Sequence, residues 1–200
     1  MAMSRLAGER EASGAEVLHL EVGQPATPLP AAARRALIDQ LDEPLGYTNA
    51  GGLPQLRRRI ADQYRDVTAE RVFVVAGASA GFTLAFLTLF EPGARVGVLE
   101  PGYPCYRNAL LALGITPVPI PVGPESRWAP TAGHLDAAGQ LDGLVLASPS
   151  NPTGTVLDDV ALAAITSACR ERGTVVIADE IYHGIVQGEP APRVLDHDPD

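Results

Sequence analysis

Four short stretches place chemistry-bearing side chains directly behind apolar runs. In "VVIADEIY" (175–182) a series of aliphatics ends in Asp179, with Tyr182 close behind; a carboxylate there either caps the next turn or faces a ligand cation. "GASAG" (77–81) sets Gly77 and Ala78, which let the backbone come close to a ligand, ahead of Ser79. Free N–H groups and the positive dipole end at the start of a helix make such a turn an anion site, with phosphate the commonest occupant. "PGYPCY" (101–106) carries Tyr103 in a turn, where an aromatic can stack on a planar ligand or cap the core. Taken singly, Tyr103 and Tyr106 read as core aromatics. In "PSNPTG" (149–154) Asn151 precedes Pro152, which disfavours a helical backbone at the asparagine. The turn that follows either closes the chain or fixes an amide toward a ligand.

The elements that must position these groups alternate in type. Strand-like runs lie at 71–76, 95–100, 115–122, 143–148 and 174–179, and helix-like windows at 31–42, 52–66, 79–90, 104–113 and 158–172. This alternation predicts an α/β fold with a mostly parallel sheet covered by helices on both faces, a three-layer αβα sandwich. The prolines within 117–121 push that strand to an edge. Each chemistry-bearing stretch follows a strand, so all are expected on one edge of the sheet, where ligands bind in such folds. Residues 1–30, with Pro25, Pro28 and Pro30 and little periodicity, read as an N-terminal arm preceding a domain over 31–200.

Composition narrows the function classes. A net charge of −9 over 200 residues, with no basic cluster beyond Arg57, Arg58 and Arg59, argues against nucleic acid or an anionic membrane as partner. Cys105 and Cys169 are too few and too far apart for a disulfide framework, and a reducing cytoplasm is the expected setting. The four histidines are scattered, so no metal site is expected. All fifteen cationic residues are arginine; the chain contains no lysine.

Phosphate-type turn, aromatic, asparagine and strand-end aspartate with a nearby tyrosine occur in that order, one per crossing. Together they resemble the class I/II aminotransferases, fold-type I enzymes dependent on pyridoxal 5'-phosphate. The likeness runs from about "EVGQP" (21–25) onward and is most specific in "SPSNPTG" and "ADEIY". It implies the N-terminal part of the family's large cofactor-binding domain, without the C-terminal small domain. It also implies amino acid and 2-oxo acid substrates and a homodimer. By the same resemblance Asp179 pairs with the protonated pyridine nitrogen, Asn151 and Tyr182 bond the ring 3'-oxygen, Tyr103 stacks on the ring, and Ala78 and Ser79 hold the phosphate. Gly23 matches the family's glycine beside the substrate carboxylate, with Asn151 also on the substrate side. Tyr47 in "GYTNAGG" matches the tyrosine that reaches the phosphate across the dimer interface.

One departure matters. Family members use a lysine beyond the "DEIY" strand to form a Schiff base with the cofactor and to move the substrate proton, and this chain cannot supply one. The catalytic set within these residues is therefore empty. Three readings stay open: the N-terminal portion of an aminotransferase, a non-catalytic module binding the cofactor or phosphate, or another fold-type I activity such as a carbon-sulfur β-lyase, racemase or decarboxylase.

Overall fold

The computed structural model describes residues 2–20, 23, 27–44 and 46–197. They form two compact units, one running through Tyr47 and the other from Thr48 onward. The first contains α1 (Ala2–Ala12) and α2 (Ala31–Asp39). The helix α1 falls in the stretch read as an arm without periodicity; its residues show no apolar face, and its Arg5 pairs with Glu9 one turn on. Pro25 and its neighbours Glu21, Val22 and Gln24 lie outside the described residues.

The second unit holds the sheet. Its elements are α3 (Pro54–Ala61), α4 (Ala78–Leu89), β1 (Arg95–Glu100), α5 (Pro104–Ala112), β2 (Thr116–Pro121), α6 (Ala132–Ala138), β3 (Gly143–Ala147), α7 (Asp159–Glu171) and β4 (Val175–Asp179). The strands run in the order β2-β1-β3-β4, every neighbouring pair parallel. Alternation along β3 sorts the core into two layers, because successive side chains leave opposite faces of a strand. Leu144 and Leu146 join Leu135 of α6 and Leu162, Ile165 and Cys169 of α7 on one face. Val145 joins Phe82 and Phe86 of α4 and Tyr106 and Leu110 of α5 on the other. The expected αβα sandwich is thus present, with α6 the one sheet-covering helix the pattern did not mark. Gly97 of β1 lets the first layer close: a Cβ there would stand 2.8 Å from Ile120 Cδ1 and 3.1 Å from Leu144 Cδ1. Among the described residues no helix is long and apolar enough to cross a membrane.

The two edges of the sheet differ chemically. Along β2 the inward N–H groups fall at even positions, as Thr116 N donates to Ala94 O (2.8 Å) and Val122 N to Glu100 O (2.9 Å). The intervening residues are Pro117, Pro119 and Pro121, which have no N–H to offer outward. That edge is sealed, as the prolines predicted. On the opposite side, Val175 N donates to Asp142 O at 3.0 Å, so odd positions of β4 bond β3 and the N–H groups of Val176 and Ala178 face outward.

Beyond this open edge lies a groove of about 1050 Å³, walled across by Val72 and Phe73. Here the expectation of a strand over 71–76 fails. The segment passes through a short 3-10 turn, Ala69–Arg71, and continues extended without a sheet partner, leaving Phe73 69% exposed. Val74 N donates to Gly51 O (3.0 Å) and the Arg57 side chain donates to Val72 O (2.7 Å), so loop and helix groups take up bonds that a neighbouring strand would make. An apolar run becomes a strand only with a ladder beside it, and the groove separates this one from β4.

Amide hydrogen exchange tests the edge assignment. In the 200-residue chain the amides of Val175 and Ile177 are expected to exchange at least about 100-fold more slowly than those of Val176 and Ala178. Uniform protection along β4 would show that its outer edge is covered.

Candidate functional site

The C-terminal ends of parallel strands point the same way, and the four stretches singled out in the sequence leave the sheet region there or open the helices that follow. The helix α4 begins after Gly77, whose φ of +88° suits a residue without a Cβ, and it has no side-chain cap. Ala78 and Ser79 therefore open a helix with free N-terminal N–H groups, the arrangement that attracts an anion. Ser79 Oγ lies 3.5 Å from Cys105 Sγ, which places the start of α4 beside the start of α5.

Tyr103 is the N-cap residue of α5, followed by Pro104 in the first turn, and it is 39% exposed. Its ring meets that of Tyr106 edge-on, with centroids 5.5 Å apart at 84°. Tyr106 meets Phe82 of α4 in the same manner at 5.0 Å and 79°. The Tyr106 hydroxyl donates to Asp179 Oδ2 at 2.5 Å, while Ile181 N donates to Asp179 Oδ1 at 3.1 Å. Each carboxylate oxygen thus has a donor that fixes its orientation. Burial, then the hydrogen bond to Asp179 and that residue's charge, push the Tyr106 phenol far above the usual tyrosine range. It remains a donor at any working pH.

Asn151 sits in the loop that leaves β3. Ser150 N donates to Thr155 O (2.9 Å) and Gly154 N to Ser150 O (2.8 Å), closing the expected turn. Asn151 and Tyr182 line one cavity of about 500 Å³, with Pro149, Ile185 and Val186 among its walls. Ser148, 4% exposed, anchors the start of this loop: its Oγ accepts from Leu157 N at 3.0 Å and its N–H donates to Asp179 O at 3.1 Å. The turn after β4 is tied back by His183, whose Nε2 is 3.0 Å from Ser148 O, and by Glu180, whose Oε1 accepts from Val194 N at 2.7 Å.

Of the residues marked in the sequence, the structure thus links Ser79, Tyr103 and Asp179 through Cys105 and Tyr106, and sets Asn151 and Tyr182 on the lining of one cavity. Gly23 and Tyr47 belong to the other unit, where both are exposed. Sequence reasoning missed the part played by Tyr106, which it left in the core. The core reading holds, since Tyr106 is buried among the aromatics of α4 and α5, but no spacing in the chain announces that its hydroxyl reaches Asp179. Glu180 and His183 carried no signal beyond adjacency to Asp179.

A family model described as aminotransferase class I and II matches residues 15–199. The valine–pyruvate aminotransferase of Mycobacterium tuberculosis is 45% identical over 192 residues, covering 92% of this chain and 50% of that protein. An aspartate aminotransferase of Sulfurisphaera tokodaii is 30% identical over 204 residues, covering 96% of this chain and 50% of its own length. Among solved structures, an aminotransferase from Mycobacterium tuberculosis superposes with a TM-score of 0.87 at 43% identity, covering 95% of this chain and 53% of that one. One from Escherichia coli does so with 0.92 at 27% identity, covering 98% and 52%. The chain spans about half the length of the curated relatives it matches.

The Tyr106–Asp179 bond yields a stability prediction with a definite pH window. Tyr106→Phe removes a donor from a part-buried carboxylate and is expected to cost about 1.5–3 kcal/mol near neutral pH. Because the folded protein holds the Tyr106 phenol above the unfolded value of about 10, its contribution is complete below that pH and is lost as pH rises past it. Denaturant titrations from pH 7 to 12 should show the wild-type chain losing its advantage over Tyr106→Phe above about pH 10. An equal gap at every pH, or none at pH 7, would contradict the bond.

Proposed function

The chain belongs to the aminotransferase class I and II family, and from that premise we propose that it forms the cofactor-holding N-terminal portion of a pyridoxal 5'-phosphate-dependent transaminase. The intact protein would pass an amino group between an amino acid and a 2-oxo acid, as a cytoplasmic homodimer in which Tyr47 serves the partner's phosphate site. The observation that carries the cofactor reading is the orientation of Asp179. An acid whose two oxygens are each fixed by a donor suits a ligand that carries a positive ring nitrogen.

The donor set fits the cofactor's other groups as well. An uncapped helix start at Ala78 and Ser79 suits a phosphate, the exposed Tyr103 ring suits a heteroaromatic face, and the amide of Asn151 with the hydroxyl of Tyr182 suits a phenolic oxygen. When bound, pyridoxal 5'-phosphate supplies an electron sink for the pair left at the substrate α-carbon. The work of the protein is to place that sink: Asp179 holds the proton on the ring nitrogen, Tyr103 fixes the ring plane, and Asn151 and Tyr182 orient the 3'-oxygen. Gly23 and Asn151 are assigned to the substrate side.

No residue of this chain can move the α-proton as the family's lysine does, since the chain contains no lysine. The same fact favours a second reading for residues 1–200 by themselves, a module that binds the cofactor without turning substrate over. Full activity would then need a lysine outside these residues.

Titration of the 200-residue chain with pyridoxal 5'-phosphate, followed by borohydride reduction, tests the proposal. Binding without a stable adduct on any internal residue is expected, together with at least about tenfold weaker binding by Asp179→Ala, the loss of a charge-assisted hydrogen bond. Equal binding by Asp179→Ala would remove this residue from the cofactor site.

A further inference from the structure

We propose that His183 is a positioning residue that sets the spacing between Asn151 and Tyr182. The inference rests on the cofactor reading above, in which those two side chains converge on one oxygen atom. Asn151 rides on the loop after β3, and Tyr182 on the turn after β4. The two strands stay in register to Ala147 and Asp179, and one further backbone bond joins Ser148 N to Asp179 O at 3.1 Å. Past that point no ladder holds the two segments together.

The His183 side chain supplies a bridge beyond the last rung. Its Nε2 lies 3.0 Å from Ser148 O. A carbonyl oxygen only accepts, so the proton must sit on Nε2. The carbonyl belongs to a buried residue whose hydroxyl is already engaged by Leu157 N at 3.0 Å, which makes it a fixed anchor. On its other side the ring faces Glu180: Nδ1 is 3.7 Å from Oε2, and Oε1 of the same carboxylate accepts from Val194 N at 2.7 Å. The side chains of His183 and Glu180 are 18% and 16% exposed. The imidazole therefore stands between the Ser148 carbonyl and the Glu180 carboxylate, which is itself bonded by Val194 N, and neither contact involves a group assigned to the ligand.

Hydrogen bonds weaken within a few tenths of an ångström of their preferred length, so two donors can share one acceptor only if their separation is fixed. His183 is the side chain that fixes it. Its neighbour Tyr182 moves with it, and the anchor Ser148 lies three residues before Asn151.

A double-mutant cycle on the 200-residue chain, read as the dissociation constant for pyridoxal 5'-phosphate, tests this. His183→Ala is expected to weaken binding about five- to tenfold, the loss of one hydrogen bond's alignment. His183→Gln, whose amide can donate to the same carbonyl, is expected to stay within about twofold of the unsubstituted chain. In an Asn151→Ala background, where there is no spacing left to set, His183→Ala should cost less than about twofold. Should His183→Ala lose its fold, His183→Phe keeps the ring volume without the donor and carries the same comparison. Equal losses in both backgrounds, no rescue by glutamine, or no loss on replacing His183 would overturn the inference while leaving the cofactor reading intact. Asn151→Ala binding as the parent does would overturn the shared-oxygen premise, and no binding by the unsubstituted chain would overturn the cofactor reading itself.

Discussion

The hydrogen bond from the Tyr106 hydroxyl to Asp179 Oδ2 is the contact on which the arrangement of the site depends. Tyr106 comes from α5 and Asp179 from the end of β4, and the edge-on contacts of the Tyr106 ring reach Phe82 in α4 and Tyr103 at the head of α5. One buried side chain therefore references the uncapped helix start, the exposed aromatic and the carboxylate to a common point. A carboxylate in a partly buried setting is costly without donors, and this one has a donor on each oxygen. The desolvation that keeps Tyr106 a phenol also makes it a dependable donor. Stability and site geometry are set here by the same atoms.

Parallel pairing makes that convergence available. With all four strands pointing one way, a residue one position past a strand end always reaches the same edge, whatever the length of the helix in between. The layers of Leu144 and Leu146 on one face and Val145 on the other hold the strand ends in register. The prolines of β2 close one side of the sheet, while Val176 and Ala178 leave the other open to a groove.

The sequence was most legible where a local pattern and a tertiary partner agree. Val96 and Val98 in β1, the aliphatics of β3 and the prolines of β2 announce buried or edge strands by periodicity and missing donors, and they form them. Asp179, which ends β4, and Tyr103 and Asn151, which follow β1 and β3, could be placed at the C-terminal edge of the sheet from the strand pattern alone. The run 71–76 shows the limit. Its composition is that of a strand, but strand formation needs a neighbour, and the backbone of Val72 is satisfied by Arg57 instead. Tyr106 was illegible for a related reason: a buried tyrosine and a buried phenylalanine share one pattern, and only the fold shows that the hydroxyl meets a carboxylate from 73 residues away. His183 is likewise distinguished by the carbonyl it reaches, which no spacing in the chain declares.

We propose that Asp179 presents a fixed negative charge to a protonated ring nitrogen of the bound cofactor. The most direct measurement is ¹⁵N NMR of pyridoxamine 5'-phosphate, labelled at the pyridine nitrogen and bound to the 200-residue chain at neutral pH. The chemical shift of a protonated pyridine is expected, replaced by that of the neutral ring in Asp179→Asn, which keeps the shape of the side chain without its charge. A neutral-pyridine shift in the unsubstituted chain would contradict the proposal.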